Sequence, residues 1–122
     1  MTSVFVVDDA PSFLVAVRAV IDATPGFEIV GLAHSDLEAA DRLLDTTAPA
    51  PDLILMDVNL GDASGIDLTR RLRVERPGLR VLLVSSLSAE ELPESAATCG
   101  ALGFVTKIDL GPDVLRRFGS GA

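Results

Sequence analysis

A chain of 122 residues, 48% apolar and 23% charged, fits one compact domain with its own core and argues against disorder. No apolar run approaches the ~20 residues that a membrane-spanning helix requires, and the opening Met1-Thr2-Ser3-Val4 lacks the basic start of a secretory signal. The formal net charge of −8 opposes a phosphate backbone, so direct nucleic-acid binding has no support.

The first apolar run, Val4-Phe5-Val6-Val7, reads as a strand covered on both faces and ends in Asp8-Asp9. Leu14, Val17, Val20 and Ile21 follow at helical spacing, and Pro25-Gly26 closes that helix. Phe27-Glu28-Ile29-Val30 gives a second strand. Ser35-Asp36-Leu37-Glu38 then has the form of a capping box, opening a helix striped by Leu37, Ala40, Leu43 and Leu44. Past Pro49 and Pro51, a third strand, Leu53-Ile54-Leu55-Met56, ends in Asp57. Leu68 and Leu72 mark a third helix, stopped at Pro77-Gly78. Val81-Leu82-Leu83-Val84 is a fourth strand ending in Ser85-Ser86.

Ser88-Ala89-Glu90-Glu91 offers a second capping box, but Pro93 would fall inside the helix it opens. That fourth helix therefore starts late, near Pro93, or has an irregular first turn. A weaker run, Phe104-Val105, gives a fifth strand ending in Thr106-Lys107. Leu110, Val114 and Phe118, at i, i+4 and i+8, predict a fifth helix. The expectation is one domain over residues 1–119 and a flexible tail at 120–122. Five strands alternating with five helices predict an α/β fold, (βα)5, with a doubly wound parallel sheet and right-handed crossovers.

In such a sheet, ligands bind beyond the carboxyl ends of the strands. The residues that close the runs, Asp8-Asp9, Asp57, Ser85-Ser86 and Thr106-Lys107, would meet on that edge. Two like charges 4 Å apart repel by ~4 kcal/mol at an effective dielectric of 20. Three carboxylates together therefore stay partly protonated or enclose a cation. Oxygen ligands with room for water favour Mg2+ over Ca2+. Carboxylates also serve as nucleophiles in phosphoryl transfer, where positioning and charge neutralisation supply most of the catalysis.

With this ordered set, and with Gly100-Ala101-Leu102-Gly103-Phe104-Val105-Thr106-Lys107 around the fifth strand, the chain resembles the receiver domains of bacterial two-component response regulators. The likeness runs along nearly the whole chain. Residues 27–33, and Lys107 without a following proline, look more like receivers that precede LuxR-type DNA-binding domains. The resemblance implies a flavodoxin-like, five-stranded parallel sheet in the order 2-1-3-4-5, in the cytoplasm. It implies no turnover enzyme beyond the chain's own phosphorylation and dephosphorylation.

Residue by residue, the resemblance makes Asp57 the phosphoacceptor, supplied by a sensor histidine kinase or phosphotransfer protein. Asp9, Asp57 and the Asn59 carbonyl would ligate Mg2+ directly, with Asp8 acting mainly through water. Lys107 would pair with Asp57 or its phosphoryl oxygens, and Ser85 would donate its hydroxyl to the phosphoryl group. Phe104 takes the aromatic switch position, although it reads equally well as core; Asn59 and Leu87 would border the phosphoryl group. The surface carrying the fourth helix, fifth strand and fifth helix would change shape and be read by a second copy or an output domain.

Three departures from the family stand out. Leu60-Gly61 replaces the usual Met-Pro pair, so a more mobile loop is expected over residues 59–65. Ile108 stands where a cis proline is common, and a non-proline cis bond costs ~3 kcal/mol or more. No output domain is expected within this chain.

Two other readings stay open. One is a degenerate receiver that acts as a phosphorylation-independent interaction or dimerisation module. The other is a haloacid-dehalogenase-like phosphatase, which would need an Asp-x-Asp motif and a cap domain. His34 reads as a solvated loop residue, Thr106 as structural, and Cys99, the sole cysteine, as a small buried filler. No zinc ligand set, nucleotide-binding glycine loop or nucleophile elbow accompanies them.

Overall fold

The computed structural model describes residues 1–119, and the tail expected at 120–122 lies outside the described residues. Strands β1 (Thr2–Val7), β2 (Phe27–Ala33), β3 (Leu53–Asp57), β4 (Val81–Ser85) and β5 (Gly103–Thr106) form one sheet. Every pairing is parallel, and the order is β2-β1-β3-β4-β5, as the resemblance implied. The helices are α1 (Pro11–Asp22), α2 (Asp36–Leu43), α3 (Gly65–Glu75) and α4 (Pro112–Gly119).

Alternation along each strand splits the core into two layers. Val4, Val6, Leu53, Leu55, Leu82 and Val84 face α1 and α4, where Leu14, Val17, Ile21 and Leu115 meet them. Phe5, Val7, Ile54, Met56, Val81 and Leu83 face α2 and α3, where Ala39, Ala40, Leu43, Leu68 and Leu72 meet them. Each large apolar side chain buried this way contributes about 1.5–3 kcal/mol. Both faces demand it, and so β1, β3 and β4 read as unbroken apolar runs.

Local chemistry sets the helix starts. The Glu38 N–H donates to Ser35 Oγ at 3.1 Å, while Glu38 Oε1 accepts the His34 N–H at 2.6 Å. The expected capping box is present, its return bond displaced by one residue. The Asp67 N–H donates to Ser64 Oγ at 3.2 Å and caps α3.

Three sequence expectations are corrected. The fourth helix is reduced to two 3-10 turns, Ala89–Glu91 and Glu94–Ala97. Ser88 donates its N–H and hydroxyl to Glu91 Oε1, but Pro93 then takes extended backbone and breaks the run. Leu37 is 75% exposed, whereas Ala39, Ala40 and Leu43 carry the buried side of α2. Leu110, Val114 and Phe118 pack partly buried on the core beside the fully buried Leu115, but the last helix begins only at Pro112, past Leu110. The segment after Asp57 closes as a small antiparallel ladder in which Asn59–Leu60 pairs with Ala63–Ser64. Gly61 makes its turn at φ 62°, and Leu60 is buried. No helix among the described residues is long and apolar enough to cross a membrane.

Candidate functional site

Register assembles the site. Val7 of β1 pairs with Met56 of β3, so the next residues, Asp8 and Asp57, emerge side by side at the carboxyl edge. Asp57 pairs with Val84 of β4, and Ser85 pairs with Thr106 of β5, which sets Lys107 just past the same edge. Asp8, Asp57 and Ser85 are buried and Asp9 is exposed. Asp8, Asp9 and Asp57 each place a carboxylate oxygen within 4.8 Å of the others.

One cation answers these three acids. Lys107 Nζ lies 2.8 Å from Asp8 Oδ2 and 3.4 Å from Asp57 Oδ2. The pairing with Asp57 that the resemblance implied is present, and Asp8 is the nearer partner. It reaches both across a trans Lys107–Ile108 peptide, on a 3-10 turn (Lys107–Asp109) tied by Thr106 Oγ1 donating to Asp109 Oδ2 at 2.7 Å. Thr106 is structural, as expected.

Asp8 Oδ1 accepts the Ala10 N–H at 2.8 Å, but Oδ2, although it faces the ammonium, has no hydrogen-bond partner of acceptable angle. Asp57 Oδ1 accepts the Asn59 N–H at 3.3 Å, and Oδ2 faces Lys107. Burial and the neighbouring Asp8 charge push the Asp57 carboxyl up to about 6, against the opposing pull of Lys107. Burial disfavours the charged Lys107, but Asp8 and Asp57 outweigh it and hold its pKa above the ordinary 10.5.

This arrangement fits a hard divalent cation. The donors are all oxygens, and negative charge exceeds positive. Asp8, Asp9 and Asp57 could hold the ion, and Asn59 lies two residues past Asp57 on the exposed rim.

Ser85 Oγ accepts the Leu87 N–H at 3.1 Å, leaving its own proton free to be donated. Phe104 is half-buried against the α2–α3 layer and lines a groove of about 480 Å3 with Leu92, Pro93 and Ala97. His34 is exposed and Cys99 buried, as the sequence suggested.

Sequence reasoning missed two residues. Gly65 opens α3 against the strand that carries Asp57: a Cβ there would lie 1.8 Å from the Asp57 carbonyl oxygen. Its N–H donates to the Val58 carbonyl at 2.7 Å. A glycine eight residues past Asp57, next to a capping serine, was the available signal. The other is Phe13, whose ring lies under Lys107; nothing in its spacing separates it from ordinary core.

Known proteins share this fold. The family model of the response regulator receiver domain matches residues 4–116. The DNA-binding transcriptional activator DevR/DosR of Mycobacterium tuberculosis is 35% identical over 116 residues, spanning 95% of this chain and 52% of that protein. A protein-glutamate methylesterase/protein-glutamine glutaminase of Thermotoga maritima is 33% identical over 85% of this chain and 30% of its own length. The chain thus spans about half or less of these curated relatives. Among solved structures, a LuxR-family two-component response regulator from Aurantimonas superposes with TM-score 0.80 at 30% identity, covering 94% of this chain and 79% of that one. The receiver domain of the NarL regulator of Mycobacterium tuberculosis gives 0.80 at 25% identity, covering 99% and 98%. Sheet order, edge chemistry and these likenesses converge: the chain belongs to the response regulator receiver domain family.

Proposed function

We propose that Asp57 accepts a phosphoryl group from a sensor histidine kinase or a phosphotransfer protein, and that Mg2+ is required. The observation that carries this reading is the buried Asp57 carboxylate at the end of the central strand β3, within 4.8 Å of two further carboxylates and 3.4 Å from Lys107. Bound between Asp8, Asp9 and Asp57, Mg2+ would offset the charge of an incoming phosphoryl group.

The chain's own residues do the rest. An Asp57 carboxylate oxygen forms the new P–O bond as the donor's P–N bond breaks, and the departing imidazole keeps the electron pair and takes a proton. Lys107 turns from Asp8 toward the phosphoryl oxygens, and the Ser85 hydroxyl donates to them. Both movements pull on β4 and β5; Phe104 is itself part of β5, and the two 3-10 turns connect the two strands. The surface of those turns, β5 and α4 is then read by a second copy or by an output domain. By likeness to DevR/DosR, that output would be control of transcription.

Incubation with acetyl phosphate and Mg2+ should add one phosphoryl mass to the chain, and Asp57→Asn should add none. No uptake from acetyl phosphate or a cognate kinase overturns the reading.

A further inference from the structure

Besides two acids, an aromatic ring lies close to the ammonium of Lys107. Its Nζ sits 4.4 Å from the centroid of the Phe13 ring, besides 2.8 Å from Asp8 and 3.4 Å from Asp57. We infer that Phe13 is a positioning residue for phosphoryl transfer, its ring face forming the wall that holds Lys107 over the acidic pocket. The inference rests on the role proposed above for Lys107 and adds the group that keeps the lysine there.

A lysine needs such a wall. Its four-carbon stem carries about 2 kcal/mol of rotamer entropy, and an ammonium is strongly hydrated. The residue beside it, Ile108, is 87% exposed and covers nothing, yet the Lys107 side chain is only 17% exposed. Phe13 is half-buried, with one side against the α1 layer of the core. An aromatic face attracts a cation at this distance.

The ring is also fixed to the pocket. Asp8 Oδ1 accepts the Ala10 N–H, joining the acid to the start of α1, and Phe13 lies in the first turn of that helix. Asp8 and Phe13 therefore form one rigid unit around the lysine. A ring face has no preferred hydrogen-bond direction, so Nζ can move from Asp8 toward a phosphoryl group on Asp57 without leaving it. A carbonyl in the same place would pin the ammonium.

Phe13→Leu keeps apolar bulk and removes the ring face, whereas Phe13→Tyr keeps the face. With acetyl phosphate and Mg2+, F13L should slow phosphoryl uptake by about fivefold to tenfold. F13Y should restore it. In a Lys107→Met background, F13L should cause no further slowing, because the ring acts only through the lysine. A purely structural Phe13 would instead slow both backgrounds equally, and that result overturns the inference.

A second readout needs no phosphorylation. In NMR spectra of the whole chain, the Lys107 methylene protons next to Nζ should be shifted upfield by the ring, less so in F13L but not in F13Y. Unshifted protons in the unsubstituted chain also overturn it. If the chain takes up no phosphoryl group at all, the reading of the site falls, while the NMR shift still decides whether Phe13 holds the lysine. If K107M alone leaves uptake unchanged, Phe13 has no lysine to act through and the inference falls, while phosphoryl acceptance by Asp57 stands.

Discussion

Removing the charge of Asp57 should stabilise the metal-free protein. The carboxyl has an ordinary pKa of 3.8 and stands at about 6 when folded, because burial and Asp8 disfavour its ionised form. Below pH 3.8 it is protonated in both states and contributes nothing. Between 3.8 and about 6 the folded chain holds a proton that the unfolded chain has lost, so stability falls as pH rises. Above about 6 the cost is complete. The full shift corresponds to about 3 kcal/mol, and it already includes the attraction of Lys107. Water and salt at the sheet edge screen these groups, which lowers the expected cost to about 1–2 kcal/mol.

Asp57→Asn keeps an acceptor for the Asn59 N–H, and Lys107 keeps Asp8 at 2.8 Å. At pH 7.5 in a chelator, the variant should therefore melt about 3–8 °C higher than the parent chain. Near pH 4 the two should nearly coincide. The chain has no Trp or Tyr, so far-UV circular dichroism is the suitable probe of thermal or urea unfolding. A variant less stable than the parent at pH 7.5 without metal, or a gain that persists undiminished at pH 4, refutes the electrostatic account of the site.

Divalent metal should reverse that order. Mg2+ at 100 times its dissociation constant stabilises a folded state by about 2.7 kcal/mol; the parent chain should show that rise in melting temperature, and Asp9→Asn and Asp57→Asn should lose most of it. Lys107→Met leaves Asp8 and Asp57 without their cation and should cost about 1–3 kcal/mol at neutral pH without metal. Urea titration checks this, and Mg2+ should recover part of the loss. Gly65→Ala should destabilise by about 3 kcal/mol or more, since its Cβ would overlap the Asp57 carbonyl oxygen at 1.8 Å. A midpoint unchanged in urea would mean that the start of α3 can give way cheaply.

The sequence by itself determined the sheet and the edge on which the chemistry sits. Apolar runs at β1, β3 and β4 signal strands covered on both faces, and parallel order then sends every residue that closes a run to the same side. Asp8, Asp9, Asp57, Ser85 and Lys107 could be gathered this way because strand alternation is local and topology follows from it. The fourth helix was less legible: a capping box and Pro93 gave opposed local signals, and the backbone resolved them as two short turns.

Only the tertiary structure decided which acid Lys107 prefers, how far the Asp57 carboxyl shifts, and that Phe13 and Gly65 belong to the site. Those outcomes depend on distances between residues far apart in the chain, fifty positions in the case of Lys107 and Asp57. Spacing along a chain carries periodicity and end points. It does not carry the few ångströms across a sheet edge that set which charge meets which, because those distances arise only when two strands and a helix pack together.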